Sequence, residues 1–182
     1  MRKHVIRPLK SRDLPNLLKL AQAYWGFEKI RGFRTKDYRK LAVKILKNPS
    51  LGRIWVAVEG ERLLGYLVVV FLMSLEYRGI AAEIDELYVD RLERGRGVGE
   101  SLLQAAGKKL KQQGIASISL RVGKSNRAGI RFYEKLGFRR RNEFLVMDRK
   151  RRGRYQAPSV RSVGFKQSLN RADLRVFRLN RP

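Results

Sequence analysis

The chain has 182 residues, 43% of them hydrophobic and including two Trp, seven Tyr and eight Phe, enough to bury one substantial core and too apolar for a disordered chain. Its 42 Lys and Arg against 16 Asp and Glu leave a net charge of +26, a balance that makes anionic partners natural. With no Cys and a single His at position 4, disulfides, thiolate metal sites, a Cys-acyl intermediate and His-based triads are excluded, and no metal site is expected.

Met1 to Lys10 is basic and lacks an apolar run, so no signal peptide is expected. The longest apolar run, Tyr66 to Met73, is far short of the ~20 residues that cross a bilayer. A soluble cytoplasmic protein without a membrane partner is the expectation. His4 to Arg7 reads as a first strand. Ser11 to Pro15 opens a helix with Leu14, Leu17, Leu18 and Ala21 on one face, ending over Tyr24 to Glu28. Thr35 and Asp37 start a second helix that turns Tyr38, Leu41, Ala42 and Ile45 inward, and Asn48-Pro49-Ser50 stops it.

Arg53 to Val58 and Arg62 to Ser74 flank the turn Glu59-Gly60-Glu61 and predict an antiparallel hairpin. Ala81 to Val89 is a fourth strand. After a glycine-rich loop, Leu102, Leu103, Ala106 and Leu110 recur at helical spacing up to about Gln113, where Gly114 supplies the stop. Ser117 to Val122 alternates polar and apolar residues and, reached through a helix, is expected parallel to the fourth strand. Asn126 caps a last helix carrying Ala128, Phe132, Tyr133 and Leu136, and Phe138 to Asn142 and Phe144 to Arg149 are read as closing strands. The pattern predicts an α/β fold with a mixed central sheet of about six or seven strands and flanking helices.

The loop Arg94-Gly95-Arg96-Gly97-Val98-Gly99 stands between strand and helix. Glycines let backbone N–H groups converge, the helix start adds unpaired donors, and the two arginines add charge, so a phosphate-bearing ligand is the natural guest. Glu100 and Ser101 follow Gly99, which excludes a P-loop, and Leu102 and Glu100 stand where a dinucleotide fingerprint needs glycine. An ordinary glycine-rich turn capping a helix is the plain alternative.

Here the chain resembles the GNAT superfamily of acyl-CoA-dependent N-acetyltransferases, whose pyrophosphate loop runs Arg/Gln-x-x-Gly-x-Gly/Ala, a pattern met at every fixed position from Arg94 to Gly99. Asn126, seven residues before Tyr133, and Gly137-Phe138 at the end of the helix continue the resemblance. It spans residues 4–149 and implies an acetyltransferase domain over 1–149 and a GNAT fold. It also implies acetyl-CoA as acetyl donor, held by Leu87, Tyr88, Val89, Arg94, Gly95, Arg96, Gly97, Val98, Gly99, Glu100 and Asn126. The family usually has a bulge in the strand before the loop, which splays it from the next and exposes backbone groups of Leu87 and Val89 to the pantetheine arm.

An alkyl ammonium with a pKa of ~10.4 cannot attack a thioester until it loses a proton. Glu83, Asp85 and Glu86 cluster on the strand leading into the loop, and the family often takes its base or its amine-binding carboxylate there. Asp85, through water, is favoured as base with Glu86 close behind; strand parity alone leaves both open. Tyr133 is the implied general acid for the departing thiolate, although beside Phe132 it also reads as part of a core face. Trp25, Glu28 and Glu83 are candidates for the acceptor side. The acceptor is a small amine or a peptide or protein amine, attacked directly in a ternary complex.

Residues 150–182 form a separate basic extension, with ten basic residues against Asp173 alone, a net +9. This extension suggests a different function class, a nucleic-acid- or ribosome-associated protein on a GNAT fold, with or without acetyltransferase activity. Leu174, Val176, Phe177 and Leu179 can instead make a short strand against the domain or a second subunit, so a homodimer is the other reading.

Overall fold

The structure, a computed structural model, describes residues 4–147. These residues form five strands and four α-helices in the order β1 (Val5–Pro8), α1 (Leu14–Phe27), α2 (Thr35–Lys47), β2 (Gly52–Glu59), β3 (Arg62–Ser74), β4 (Gly79–Val89), α3 (Val98–Gln112), β5 (Ser117–Leu120) and α4 (Arg127–Lys135). Short 3₁₀ turns at Ser11–Asp13 and Arg91–Glu93 lead into α1 and into the glycine loop. The strands lie in sequence order, antiparallel from β1 to β4, with β5 parallel to β4. That parallel step follows from the α3 crossover, since a parallel neighbour cannot be reached by a tight turn.

The sheet is buried on both faces. One layer packs Leu14, Leu17, Leu20 and Ala21 of α1 and Ala42 of α2 against Val56, Tyr66, Val68 and Tyr88. The other packs Val98, Leu102, Ala106 and Leu110 of α3 against Leu64, Leu67, Val69, Ala82 and Ile84. Leu102 and Leu110 are fully buried, each worth about 1.5–3 kcal/mol relative to exposure. This burial makes β3 the continuous apolar strand that its sequence suggests. The predicted helix faces are found with exceptions: Leu41 and Ala128 are exposed and Leu18 is only half-buried, Leu20 joins the core in α1, and α2 packs inward with Tyr38, Ala42, Val43, Ile45 and Leu46.

Five strands are found among the described residues where about six or seven are expected. Residues 138–147 form no strand. Arg139 to Glu143 is an unbroken polar run with no alternating face to bury, and Phe144 to Met147 are all exposed. The end of that expected strand at residues 148–149, the basic extension 150–182 and the stretch Leu174 to Leu179 lie outside the described residues. No helix among the described residues is long and apolar enough to cross a membrane.

Candidate active site

The site is built on a break in β4. Val68 of β3 pairs with Glu86 while the adjacent Val69 pairs with Ile84, so Asp85 is an extra residue opposite nothing, a β-bulge. Parity therefore reverses there: Ile84 and Leu87 pack on the α3 side, and Tyr88 packs on the α1 and α2 side. The bulge sets Glu86 on the α1 and α2 side with Tyr66 and Tyr88, where simple alternation from Ile84 would have put it on the α3 side, and the charges of both Asp85 and Glu86 reach Tyr24 and Tyr38.

Glu86 is buried and held by three donors. Trp25 Nε1 donates to Oε1 over 3.1 Å, and Tyr38 and Tyr66 hydroxyls donate to Oε2 over 2.5 and 2.8 Å. No cation within ion-pair distance accompanies it among the described residues. Burial pushes its carboxyl up, and the three donors only partly offset that. Tyr38 and Tyr66 were absent from the expected site. The available signal was Tyr66 itself, a hydroxyl inside an otherwise apolar central strand that must find a partner when buried.

Asp85 has no side-chain hydrogen bond among the described residues and is reached by solvent, yet the protein crowds it. Burial pushes its carboxyl up, helped by the charge of Glu83 and opposed by Arg121. Arg121 of the segment after β5 is itself paired with Glu83 at 2.8 Å. Glu83 thus already has a partner. Glu28, at the end of α1, acts with Asp85 and Glu86 on the Tyr24 hydroxyl, another residue absent from the sequence expectation. The Tyr133 phenol is pushed up to about 12, by burial first and then by Glu28. Asp85, Glu86, Glu28 and Tyr133 thus all lie near enough to act on the Tyr24 hydroxyl, and Trp25 reaches the same group through Glu86. Glu143 is instead paired with Arg141, which also donates to Tyr77 in the β3–β4 turn.

Beyond the bulge, β4 separates from β5. Their pairing ends at Ile84 and Leu120, while β3 continues along β4 to Val89. The Asp90 N–H reaches Leu64 O over 2.8 Å, which makes Gly65 and Val89 a non-hydrogen-bonded pair. The N–H and C=O of Val89 therefore point away from β3, as do those of Leu87 two residues earlier. Tyr88 between them bonds toward β3 and sets its ring among Tyr24, Phe27 and Tyr66.

This open edge leads to the glycine loop. Gly95 and Gly97 have φ of 78° and 76°, a conformation that costs a side-chain-bearing residue about 1–2 kcal/mol. Helix α3 makes its first bond from Ser101 N–H to Gly97 O, so the N–H groups of Val98, Gly99 and Glu100 have no partner within the helix. A Cβ on Gly99 would lie 3.3 Å from Phe132 and 3.5 Å from Val89, which places the loop against both β4 and α4. The two arginines, although exposed, are both engaged by groups of the protein. Arg94 donates to Val89 O over 3.2 Å, with its guanidinium 4.7 Å above Phe27 and 5.4 Å above Tyr88, and Arg96 pairs with Glu93. Val98 is buried in the α3 layer, and Glu100 accepts from Gln104 and lies 3.7 Å from Lys135. Asn126 caps α4 through Oδ1 to Gly129 N–H at 2.9 Å, which leaves its Nδ2 free to donate.

The comparisons with known proteins agree with this geometry. A family model described as the acetyltransferase (GNAT) family matches residues 14–138. An uncharacterized N-acetyltransferase of Methanocaldococcus jannaschii is 31% identical over 138 residues, 74% of this chain and 60% of that protein; the chain thus spans less than two thirds of that relative. A transcriptional regulator from Bacillus halodurans superposes with a TM-score of 0.68 at 30% identity, over 80% of this chain and 99% of that one. A predicted acetyltransferase with acetyl-CoA from Clostridium acetobutylicum shares the fold, with a TM-score of 0.68 at 21% identity over 80% and 96% of the two chains. With the bulged strand, the left-handed glycine loop and a family match across most of its length, this chain belongs to the GNAT family of acetyltransferases.

Proposed function

We propose that the protein transfers the acetyl group of acetyl-CoA to a primary amine by direct attack in a ternary complex. The observation that carries this reading is the β4 edge at Leu87 and Val89, without a strand partner among the described residues and with only Val89 O engaged, by Arg94, running straight into the free N–H groups at the start of α3. Such an edge suits an extended amide-bearing arm, and such a helix start suits a diphosphate. The residues present fit the donor. Leu87 and Val89 would pair the arm, Gly97 to Glu100 the phosphates, and Asn126 Nδ2 an oxygen of the same molecule. When bound, acetyl-CoA supplies the acetyl thioester.

The chain's own groups divide the proton work. Asp85, free of side-chain hydrogen bonds and open to solvent, takes the proton of the acceptor ammonium through water. Glu86 is committed to three donors, and its part is to fix Trp25, Tyr38 and Tyr66 and to hold negative charge beneath the amine. Tyr133 keeps its proton across the working pH range and can release it to the departing thiolate. The Leu87 and Val89 N–H groups supply donors for charge developing on the acetyl oxygen.

With Glu83 already partnered by Arg121 and Glu143 by Arg141, few free acids oppose a net charge of +26. This supports a peptide N-terminus or singly charged small amine over a polyamine. The net +9 of residues 150–182 supports a second, compatible reading, in which the enzyme also sits on nucleic acid or the ribosome.

Release of CoA thiol on mixing with acetyl-CoA and a panel of peptides, amino acids, aminoglycosides and polyamines tests the reaction. Gly97→Val, which forces a β-branched residue into φ 76°, should weaken CoA binding sharply in calorimetry. CoA binding that is absent in the wild type removes the donor site; efficient spermidine turnover without peptide activity reverses the acceptor ranking.

A further inference from the structure

We propose that Glu93 is the positioning residue of the donor loop, acting through Arg96; this rests on the donor site described under Proposed function. Glu93 lies in the 3₁₀ turn before the loop, and its side chain is 5% exposed. One oxygen is taken by Arg62, the first residue of β3, and the other by Arg96. Arg96 also stands 3.7 Å from Glu59, the last residue of β2, whose Oε1 is buried without a hydrogen-bond partner. Two acids and two arginines therefore tie the loop to the β2–β3 turn.

The loop needs such a tie because it has little else. Arg96 sits between Gly95 and Gly97, both left-handed, and a Cβ built on either would meet nothing within 4 Å. No packing restrains the two residues that set the loop's path. Before Val98 enters the α3 layer, the loop's side-chain restraints are Arg94 on Val89 O and the Phe27 and Tyr88 rings at one end and Arg96 on Glu93 at the centre. Glycines that allow the N–H groups to converge also allow them to disperse. A buried carboxylate holding the one long side chain between them fixes the array before a diphosphate arrives, and pre-organisation of this kind appears as affinity.

The same geometry changes the role of Arg96. A guanidinium committed to Glu93 and Glu59 is a brace, and the loop binds phosphate through its backbone N–H groups. A brace and a phosphate ligand respond differently to salt. Loss of a direct charge contact flattens the ionic-strength dependence of binding, whereas loss of a brace weakens binding at every ionic strength and leaves the slope unchanged.

The test measures the Kd of CoA by calorimetry from low to moderate salt, together with kcat at saturating acetyl-CoA, in full-length wild type, Glu93→Gln and Arg96→Met. The expected result is a Kd raised tenfold or more in both variants with the wild-type salt slope, kcat within about threefold, and faster amide exchange confined to residues 94–100. A Kd within twofold of wild type, a kcat that falls as far as affinity, or a flattened salt slope in Arg96→Met overturns the proposal. Should Glu93→Gln fail to fold, Arg96→Met carries the same comparison, because Arg96 is 40% exposed and its removal leaves Glu93 paired with Arg62. Wild-type protein that does not bind CoA overturns the donor-site reading and this proposal with it, an outcome distinct from any variant result.

Discussion

The hydroxyl of Tyr66 on β3 donates to Glu86 Oε2 on β4 over 2.8 Å, and both residues are buried. The bond crosses two adjacent strands, which pair Tyr66 with Tyr88 and Val68 with Glu86, so it runs diagonally along the sheet and locks the residue after the bulge in place. Tyr66→Phe removes one of three donors to a buried carboxylate, and the loss should be about 1.5–3 kcal/mol. Urea unfolding should show a lower midpoint at unchanged slope. Glu86→Ala leaves three donors unpaired, Tyr66 buried and Trp25 and Tyr38 half-buried, and should cost more than Tyr66→Phe. Equal midpoints for wild type and both variants would mean that the cluster contributes no net stability.

Asp85 gives a prediction with opposite signs for stability and activity. Its carboxyl is raised in the folded protein, so the folded state binds the proton more readily than the unfolded chain. The group's contribution to stability is therefore fully present below the unfolded pKa of ~3.9 and is lost as pH rises through the folded value. At neutral pH the ionised residue weakens the fold. Asp85→Asn should raise Tm near pH 7.5, show no such gain near pH 3.5, and lower turnover by ~10²-fold or more. In the wild type the acid limb of the rate profile should lie above the ordinary carboxylate range, and Asp85→Asn should abolish it. A variant that keeps its rate moves the base to another group.

Tyr133→Phe keeps the ring against Phe132 and Phe138 and removes only the hydroxyl. We expect kcat to fall ~10² to 10⁴-fold with little change in the KM for acetyl-CoA. With the phenol pushed up to about 12, wild type should show no alkaline limb from this residue below pH 10. An unchanged kcat would assign Tyr133 to packing alone.

The basic extension is tested by deleting residues 150–182, which removes a net charge of +9. Affinity for a mixed-sequence RNA should drop and the slope of log K against log salt should become shallower. CoA affinity should stay at the wild-type value. If full-length protein ignores RNA at low salt, its charge serves another partner.

Much of the fold is legible in the sequence because its signals are local. Apolar spacing in α1 and α3, the Glu59-Gly60-Glu61 turn and Gly114 each depend on a few neighbouring residues. The glycine loop is legible for the same reason, since Gly95 and Gly97 adopt the left-handed geometry that only such residues take readily. The partners of Glu86 are not. Trp25, Tyr38 and Tyr66 come from three elements separated by up to 61 positions from it, and only the packing of α1 and α2 on the sheet brings them together. The direction of Arg94 and Arg96 is equally hidden. Sequence shows two cations beside a phosphate loop, whereas Val89 O, the Phe27 ring and Glu93 compete for them in space. The missing closing strands reflect the other limit, because β-favouring residues at 144–147 form a strand only if an edge accepts them.

The extra residue in β4 is also excisable. Ile84 and Val69, and Glu86 and Val68, are consecutive rungs of the β3–β4 ladder with Asp85 between them. Deleting Asp85 would join those rungs without moving Ile84, Glu86, Leu87 or Tyr88 to a new face, whereas inserting one more residue would turn every side chain from Glu86 to Val89 over. The shortened strand would be straighter and able to continue zipping along β5 past Leu120. A chain one residue shorter would therefore be the more regular sheet protein, folded and closed where this one is open. The position proposed for the base is the one that the architecture could most readily give up.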